Sequence, residues 1–449
     1  MNYDPKIIKI PSFESRVPLF LSGEVTPSQY LEQCISMIEQ FEPEVQAFVA
    51  LNLEGAREAA NLSSKRYIDG NPLSPIDGLP IGLKDIIETS DMPTQCGSPI
   101  YEGTTTGRDA PVTAALRRGG AVIVGKTATT EFAYGNIAGT RNPYDLDRTP
   151  GSSSSGSAAA VGAGMLPVAI GTQLMSSVMR PASYCGQVGV KPTYGAIRQA
   201  GIHPFSPSGE HVGAHTTTLG DSWTVLKYLS NHAGPVPGSY GIVGPQLLPP
   251  AKKPLRLMRM YTPGWKITDQ EVKNNFEILL DSLSDLDVDI VEPSTDPSLQ
   301  ALEHEFERVE WCIAEIAAFE MRWPFFEYEK SGHTHHERID NLLKRAHEIT
   351  LDDYHNALNF KKRLRDLFNS ASDIVDGVIG LTAPEVAPVG LENLGHPVNC
   401  SPATCSGVPS LTLPLMTAHK MPLGLQLVGF YGQDETLFAM ANWVNENLS

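Results

Sequence analysis

Between Thr149 and Pro192 the chain reads TPGSSSSGSAAAVGAGMLPVAIGTQLMSSVMRPASYCGQVGVKP, and Arg180 and Lys191 are its only charged residues. A segment this small and this uncharged has to be enclosed. SAAAVGAGM combines helix-forming alanines with glycines, which predicts a buried helix packed closely enough for backbones to approach. VAIG and GQVGV read as short strands. A low-complexity linker would carry no such strands, so the stretch belongs to a core.

The flanking sequence supplies the rest of an α/β body. Over residues 24–65, VTPSQYLEQCISMIEQF has apolar residues at helical spacing after a Thr–Pro start, and FVALNLEGAREAANLSSKRY reads as a second helix. The turn-rich DGNPLSPIDGLP leads into IGLKDIIE, a buried strand running into a loop. PVTAALRRGG, AVIVG and KTATTEFAYG then read as helix, strand and loop, with AVIVG apolar throughout, as in a sheet covered on both faces. LRLMRMY, DIVDGVIG, PSLTLPL and LGLQLVG are further strand candidates, and DETLFAMANWVNENL is a closing helix. Residues 255–370 are mainly charged helix and read as a helical insertion or cap. The expected fold is therefore a single α/β domain over 1–449, with a large mixed β-sheet core covered by helices on both faces.

At 449 residues, with 41% hydrophobic and 19% charged, the chain can bury a large core. Its formal charge of −17 works against phosphate backbones and anionic membranes, so neither nucleic acid nor membrane is expected as a partner. The six cysteines are scattered with no CxxC pair and read as reduced thiols. MNYDPKIIKIPSFESR carries no signal-peptide pattern, and a cytoplasmic location is expected.

Common catalytic signatures are missing. There is no GxSxG elbow, no SxxK, no HExxH and no GxxxxGK[ST]. His333, His335 and His336 (HTHH) have the residue type for a metal, but they fall in a polar stretch between helices with no cysteine nearby. They read as a solvated loop, and no metal ligand set is assigned.

Lys84 stands at the end of the strand PIGL, beside Asp85. A buried lysine can serve as a base, because desolvation disfavours the ammonium form. It can equally be one half of an ion pair with Asp85, and Lys84 alone does not decide between the two.

The serine-rich segment decides. GLKDI at 82–86, PGSSSSGSAAA at 150–160, GTQLMSSVMRPA at 171–182 and GVKPTYG at 189–195 resemble, in order, the blocks of the amidase signature family. DMPTQCGS, DAPVTAALRRGGAVIVGKTATTEFAYG and RNPYD resemble that family's approach to the serine cluster. PSLTLPL and MPLGLQLVGFYGQDETL resemble its C-terminal signature. The match spans the chain except for about 255–370.

The resemblance implies Ser177 as nucleophile, Ser153 as a serine held through a cis peptide bond, and Lys84 as the base. It implies an oxyanion hole at the N–H groups of Leu174, Met175, Ser176 and Ser177, with Ser154 supporting the lysine and Arg180 structural. Phe132, Tyr134 and Met175 lie in blocks that border the site in relatives and are expected at the substrate. No cofactor is implied. The expected partner is a small amide or carbamate, and a homo-oligomer is compatible with this. Aryl or alkyl substituents are favoured, and the pattern is similar to urethane-cleaving and aryl-acylamidase members of the family.

The departures are specific. Gln173 replaces the family's Asp, Met175 and Ser176 replace its glycine pair, Ser155 replaces a glycine, and Ile86 replaces an Asn. Glu210 and His211, in a block that also departs from the pattern, read as rim or structural residues. Two other readings stand beside the hydrolase: the glutaminase subunit of a tRNA-dependent amidotransferase, and a catalytically dead binding protein. Glutamine's charged groups would need polar anchors, and Gln173, Leu174 and Met175 do not supply them.

Overall fold

A computed structural model describes residues 11–135 and 139–448. The first ten residues, on which part of the signal-peptide reading rests, lie outside the described residues. No helix among those described is long and apolar enough to cross a membrane.

Eleven strands form one mixed sheet. They are β1 (Phe48–Leu51), β2 (Pro80–Lys84), β3 (Val122–Thr127), β4 (Val168–Gln173), β5 (Val188–Lys191), β6 (His211–Thr216), β7 (Arg256–Arg259), β8 (Asp289–Val291), β9 (Gly377–Leu381), β10 (Ser410–Ala418) and β11 (Met421–Val428). Their spatial order is β1-β3-β2-β4-β6-β5-β10-β11-β9-β7-β8. β3, β2 and β4 run parallel, as do β9, β7 and β8, and the other pairings are antiparallel. Every residue of β2, β3, β4, β5, β6, β9 and β11 is buried. Continuous apolar runs such as IGL and VIV follow from that, because neither face of these strands meets water.

The uncharged segment folds inward as its composition requires. Helix Ser155–Gly162 is buried at every position. Gly156 is the tightest point. A Cβ there would lie 2.2 Å from both Ala128 N and Ala47 O, across the bond that Ala128 N–H donates to Ala47 O at 2.8 Å. Only glycine lets the helix come this close to the chain leaving β3.

One expectation needs correction. FVAL is not the start of a helix. It is edge strand β1, paired antiparallel to β3, and the helix begins at Leu53 with Asn52 capping Gly55 N. Four residues are too short for alternation to be told from helical spacing. Residues 255–370 are mainly helical and also carry β7, at the strand candidate LRLMRMY, and β8. β7 and β8 extend the sheet at its far edge, and the helices that follow pack on it through a second apolar cluster that includes Phe306, Ile313, Phe360 and Phe368.

Gly156→Ala is expected to destabilise the fold by about 3 kcal/mol or more, since the added methyl group meets backbone that cannot yield. A thermal or denaturant melt that matches the wild type would contradict this account of the packing.

Candidate active site

The parallel run β3-β2-β4 brings three strand ends to one edge of the sheet. Lys84 ends β2 and Thr172 lies at the end of β4, with Leu83 in register with Ile170. Clefts at the carboxyl ends of parallel strands are where open α/β sheets receive ligands. Lys84 is fully buried. Its Nζ donates to Ser153 Oγ at 2.8 Å and to Thr172 Oγ1 at 3.0 Å.

The pairing of Lys84 with Asp85 does not occur. Asp85 lies 3.0 Å from Lys126 Nζ on β3, and Lys126 also donates to Thr94 Oγ1 and Pro93 O. Lys84 is left without a carboxylate in ion-pair range among the described residues. Burial pulls its pKa down to about 7, partly opposed by the field of Glu210. Glu210 is buried rather than on a rim, and its carboxyl accepts a hydrogen bond from Thr172. Burial raises the Glu210 pKa against the pull of Lys84. His215 is buried nearby, and its pKa is lowered to about 3 by burial and then by Lys84, so the ring stays neutral. Sequence reasoning missed Thr172 and His215, and of its two readings of Glu210, rim or structural, burial excludes the rim. The readable signal was a Glu directly before the strand HVGAHT and two His within it.

The serine cluster meets this lysine from the side. The Ser152–Ser153 peptide is cis. Arg180, buried, donates to Ser152 O at 2.9 Å and to Ser152 Oγ at 3.1 Å, which gives it a bracing role. Ser154 is stitched to β4: its Oγ accepts from Thr172 N at 3.3 Å and donates to Thr172 O at 3.2 Å. Gly171 makes room for this, because a Cβ there would stand 2.7 Å from Ser154 Oγ. Ser154 N–H in turn donates to Ser177 O at 3.3 Å, which fastens Ser177 beside the Ser153–Ser154 pair. Ser177 is half-buried, and its hydroxyl makes no hydrogen bond among the described residues.

Leu174–Ser177 form the loop between β4 and helix Met179–Tyr184. Among the described residues, none of the N–H groups of Leu174, Met175, Ser176 and Ser177 donates to a protein acceptor. The next two do: Gln173 Oε1 accepts from Val178 N at 2.8 Å and from Met179 N at 2.9 Å. Gln173 Nε2 donates to Thr404 Oγ1 at 2.9 Å, and Thr404 Oγ1 donates to Met175 O at 2.7 Å. His211 accompanies the loop from behind, its Nδ1 lying 3.3 Å from Gln173 O, a structural position.

The walls differ from expectation at one residue. Leu174 borders a small cleft whose walls include the apolar Ile313, Ile316 and Cys405 and the polar Ser206, Lys361 and Thr404, and Met175 packs half-buried on the apolar cluster to which Ile313, Ile316 and Cys405 belong. Tyr134 is half-buried and stacks on Phe205 at 4.8 Å. Phe132, however, is enclosed: its ring lies 5.2 Å from Tyr328, 5.1 Å from Phe325 and 4.7 Å from His203. It is core, and the backbone φ of +48° that turns it inward could not be read from its neighbours in sequence. The HTHH run is also not a solvated loop throughout, since His335 is buried against Phe132 and Phe325.

Known proteins resemble this chain over nearly its whole length. The family model described as Amidase matches residues 29–438. A glutamyl-tRNA(Gln) amidotransferase subunit of Symbiobacterium thermophilum is 30% identical, covering 96% of this chain and 95% of that one. The corresponding protein of Chloroflexus aggregans is 28% identical, over 94% and 93%. Among solved structures, the native peptide amidase of Stenotrophomonas maltophilia is 26% identical with a TM-score of 0.79, over 97% of this chain and 96% of that one. A structure described only as an amidase is 25% identical with a TM-score of 0.82, over 98% and 100%. The chain belongs to the amidase signature family, whose members hydrolyse carbon–nitrogen bonds of amides.

Proposed function

We propose that this chain hydrolyses amides or carbamates bearing apolar or aryl groups, with Ser177 as nucleophile and Lys84 as base acting through Ser153. The observation that carries the reading is a buried lysine amine 2.8 Å from a serine hydroxyl, beside a serine-bearing loop, with no ion-pair partner for the amine and no acceptor for the loop's four N–H groups among the described residues. Neutral Lys84 takes the Ser153 proton as Ser153 takes the Ser177 proton, and Ser177 Oγ attacks the carbonyl carbon. The oxygen that gains charge is received by N–H groups of Leu174–Ser177, a contribution of about 3–4 kcal/mol per well-placed donor. The C–N bond breaks as the amine takes the proton back along the same route. Water, activated by the same pair, then cleaves the acyl–Ser177 ester. A carbamate offers the same trigonal carbonyl and leaving amine.

The apolar substituent follows from the cleft at Leu174, whose walls include Ile313, Ile316 and Cys405. The polar groups nearby are already engaged: Lys361 donates to Ser208 O, and Glu320 accepts from Ser206 Oγ and Ser208 N. Apolar walls cannot offset the desolvation of a charged head group.

A second reading is the glutamine-hydrolysing component of a tRNA-dependent amidotransferase. The relatives from Symbiobacterium and Chloroflexus favour it, since both are named as parts of such an enzyme. It requires partner subunits and a site for glutamine's ammonium and carboxylate.

A panel of a nitroanilide, an aryl carbamate and glutamine separates the two. We expect turnover of the aryl substrates, and a lower ratio of aryl to small-amide hydrolysis in Met175→Gly. Glutamine hydrolysis with neither aryl substrate cleaved would establish the second reading instead. Ser177→Ala and Lys84→Ala should each reduce kcat/KM by at least roughly a thousandfold with unchanged melting behaviour, and near wild-type activity in either would overturn the assignment. The pH profile carries a sign. Activity should rise through about pH 7, as Lys84 loses its proton, to an alkaline plateau. The Glu210 charge favours the ammonium form, so Glu210→Gln should move that limb to lower pH, and a limb that moves to higher pH would refute the coupling.

A further inference from the structure

We infer that Glu131, His333 and His335 form a binding site for a divalent transition metal of the Zn²⁺ type, separate from the serine cluster. One ligand atom from each lies within 4.8 Å of the others. His333 Nε2 is 3.3 Å from Glu131 Oε1, and His335 Nδ1 is 3.7 Å from the same oxygen. Ligands about 2.0–2.1 Å from a tetrahedral ion stand about 3.3 Å apart, which is the spacing of His333 and Glu131, and the remaining pairs close on it from within 4.8 Å. Two imidazole nitrogens with a carboxylate suit zinc, cobalt or nickel rather than magnesium or calcium, which prefer oxygen.

His335 supplies an independent observation. Its side chain is 1% exposed, and among the described residues neither ring nitrogen has a partner within hydrogen-bond distance. Buried imidazoles are ordinarily paired, and here Nδ1 stands 3.7 Å from the Glu131 carboxylate, beyond hydrogen-bond distance. That carboxylate is held in place from outside the triad, by Ser98 Oγ at 3.1 Å on Oε1 and by His336 N–H at 3.1 Å on Oε2. Outer partners of this kind orient metal ligands. His336 itself is committed elsewhere, because its Nδ1 accepts from Arg338 N at the start of helix Glu337–Glu348. His333 is 16% exposed and gives an ion a way in.

The three ligands come from two parts of the chain. Glu131 follows β3, next to Phe132, and the histidines join helices Arg322–Lys330 and Glu337–Glu348. A bound ion therefore fastens the helical layer to the strand edge that carries Lys84. Its role is a structural staple with an open fourth position.

Purified full-length protein, stripped with EDTA and dialysed, is titrated with ZnCl₂ by calorimetry. Co²⁺ serves as a second probe, its visible absorption reporting tetrahedral geometry. The expected result is one equivalent bound and a melting temperature that rises with Zn²⁺, as for any ligand that binds only the folded state. His333→Ala, in a partly exposed loop, should weaken binding at least about tenfold and abolish the cobalt spectrum while melting like the wild type in EDTA. Glu131→Gln is the second variant, should His333→Ala fail to fold. His419 lies 3.1 Å from both Asp269 and Glu271 on the surface, so His419→Ala is the control and should leave binding unchanged. No stoichiometric binding by the wild type, or binding that survives either site variant, overturns the inference.

Discussion

Lys84 is a primary amine taken out of water with two hydroxyls, Ser153 and Thr172, as its bonded partners. An ammonium ion in such a place loses its hydration, and nothing beside it compensates at ion-pair distance. Asp85, adjacent in sequence, is turned to Lys126 on the next strand. That division of charge separates two lysines of similar burial. Lys126 is a structural cation held by a carboxylate, a carbonyl and a hydroxyl, and Lys84 is driven towards the neutral amine. Placing the serines, the loop and the helix behind them all depends on keeping this amine dry and within reach of one hydroxyl.

Dryness is achieved with small side chains. Helix Ser155–Gly162 lies against the chain leaving β3 at Gly156, and Ser154 lies against β4 at Gly171. Larger residues at either point would lift the serine cluster off the sheet and admit water to Lys84. Absence of charge and abundance of glycine, alanine and serine are thus one requirement expressed twice. The hydroxyls of the cluster make this tolerable, because Ser154 and Ser157 bond to the β4 backbone and Ser155 bonds to Ala128 O.

Legibility in the sequence followed the range of the interactions. Lys84 and the serine blocks, which the fold brings together, could be picked out because each lies in a short, ordered run of residues. The buried strands IGL, VIV and VAIG could be read because burial on both faces leaves an unbroken apolar run. β1 could not, because four half-exposed residues are ambiguous. Thr172, Glu210 and His215 could not be tied to Lys84, because their relation to it comes from β4 lying between β2 and β6, an order set by the whole sheet. Phe132 was misplaced because its direction depends on a left-handed backbone and on Phe325 and Tyr328, nearly two hundred residues away. His335 was misplaced for the same reason from the other side.

The substitutions around the Leu174–Ser177 loop form one coupled change. Gln173 stands where the resemblance places an acid. Its oxygen does what a carboxylate would do, accepting from Val178 N and Met179 N at the start of the following helix. Its nitrogen does what a carboxylate cannot, donating to Thr404 Oγ1 and leaving that hydroxyl's one proton for the carbonyls of Met175 at 2.7 Å and Cys400 at 3.0 Å. An acid at 173 would recruit the Thr404 proton to itself and release the Met175 carbonyl, and the loop would lose the tie that fixes its path at the residue that replaces glycine. Met175 has given up glycine's backbone freedom, so a tie at that position matters more here than in a chain with the glycine pair. The amide at 173 and the side chain at 175 therefore belong together, and the apolar wall beside Ser177 rests on a hydrogen-bond relay that begins one strand residue before the loop.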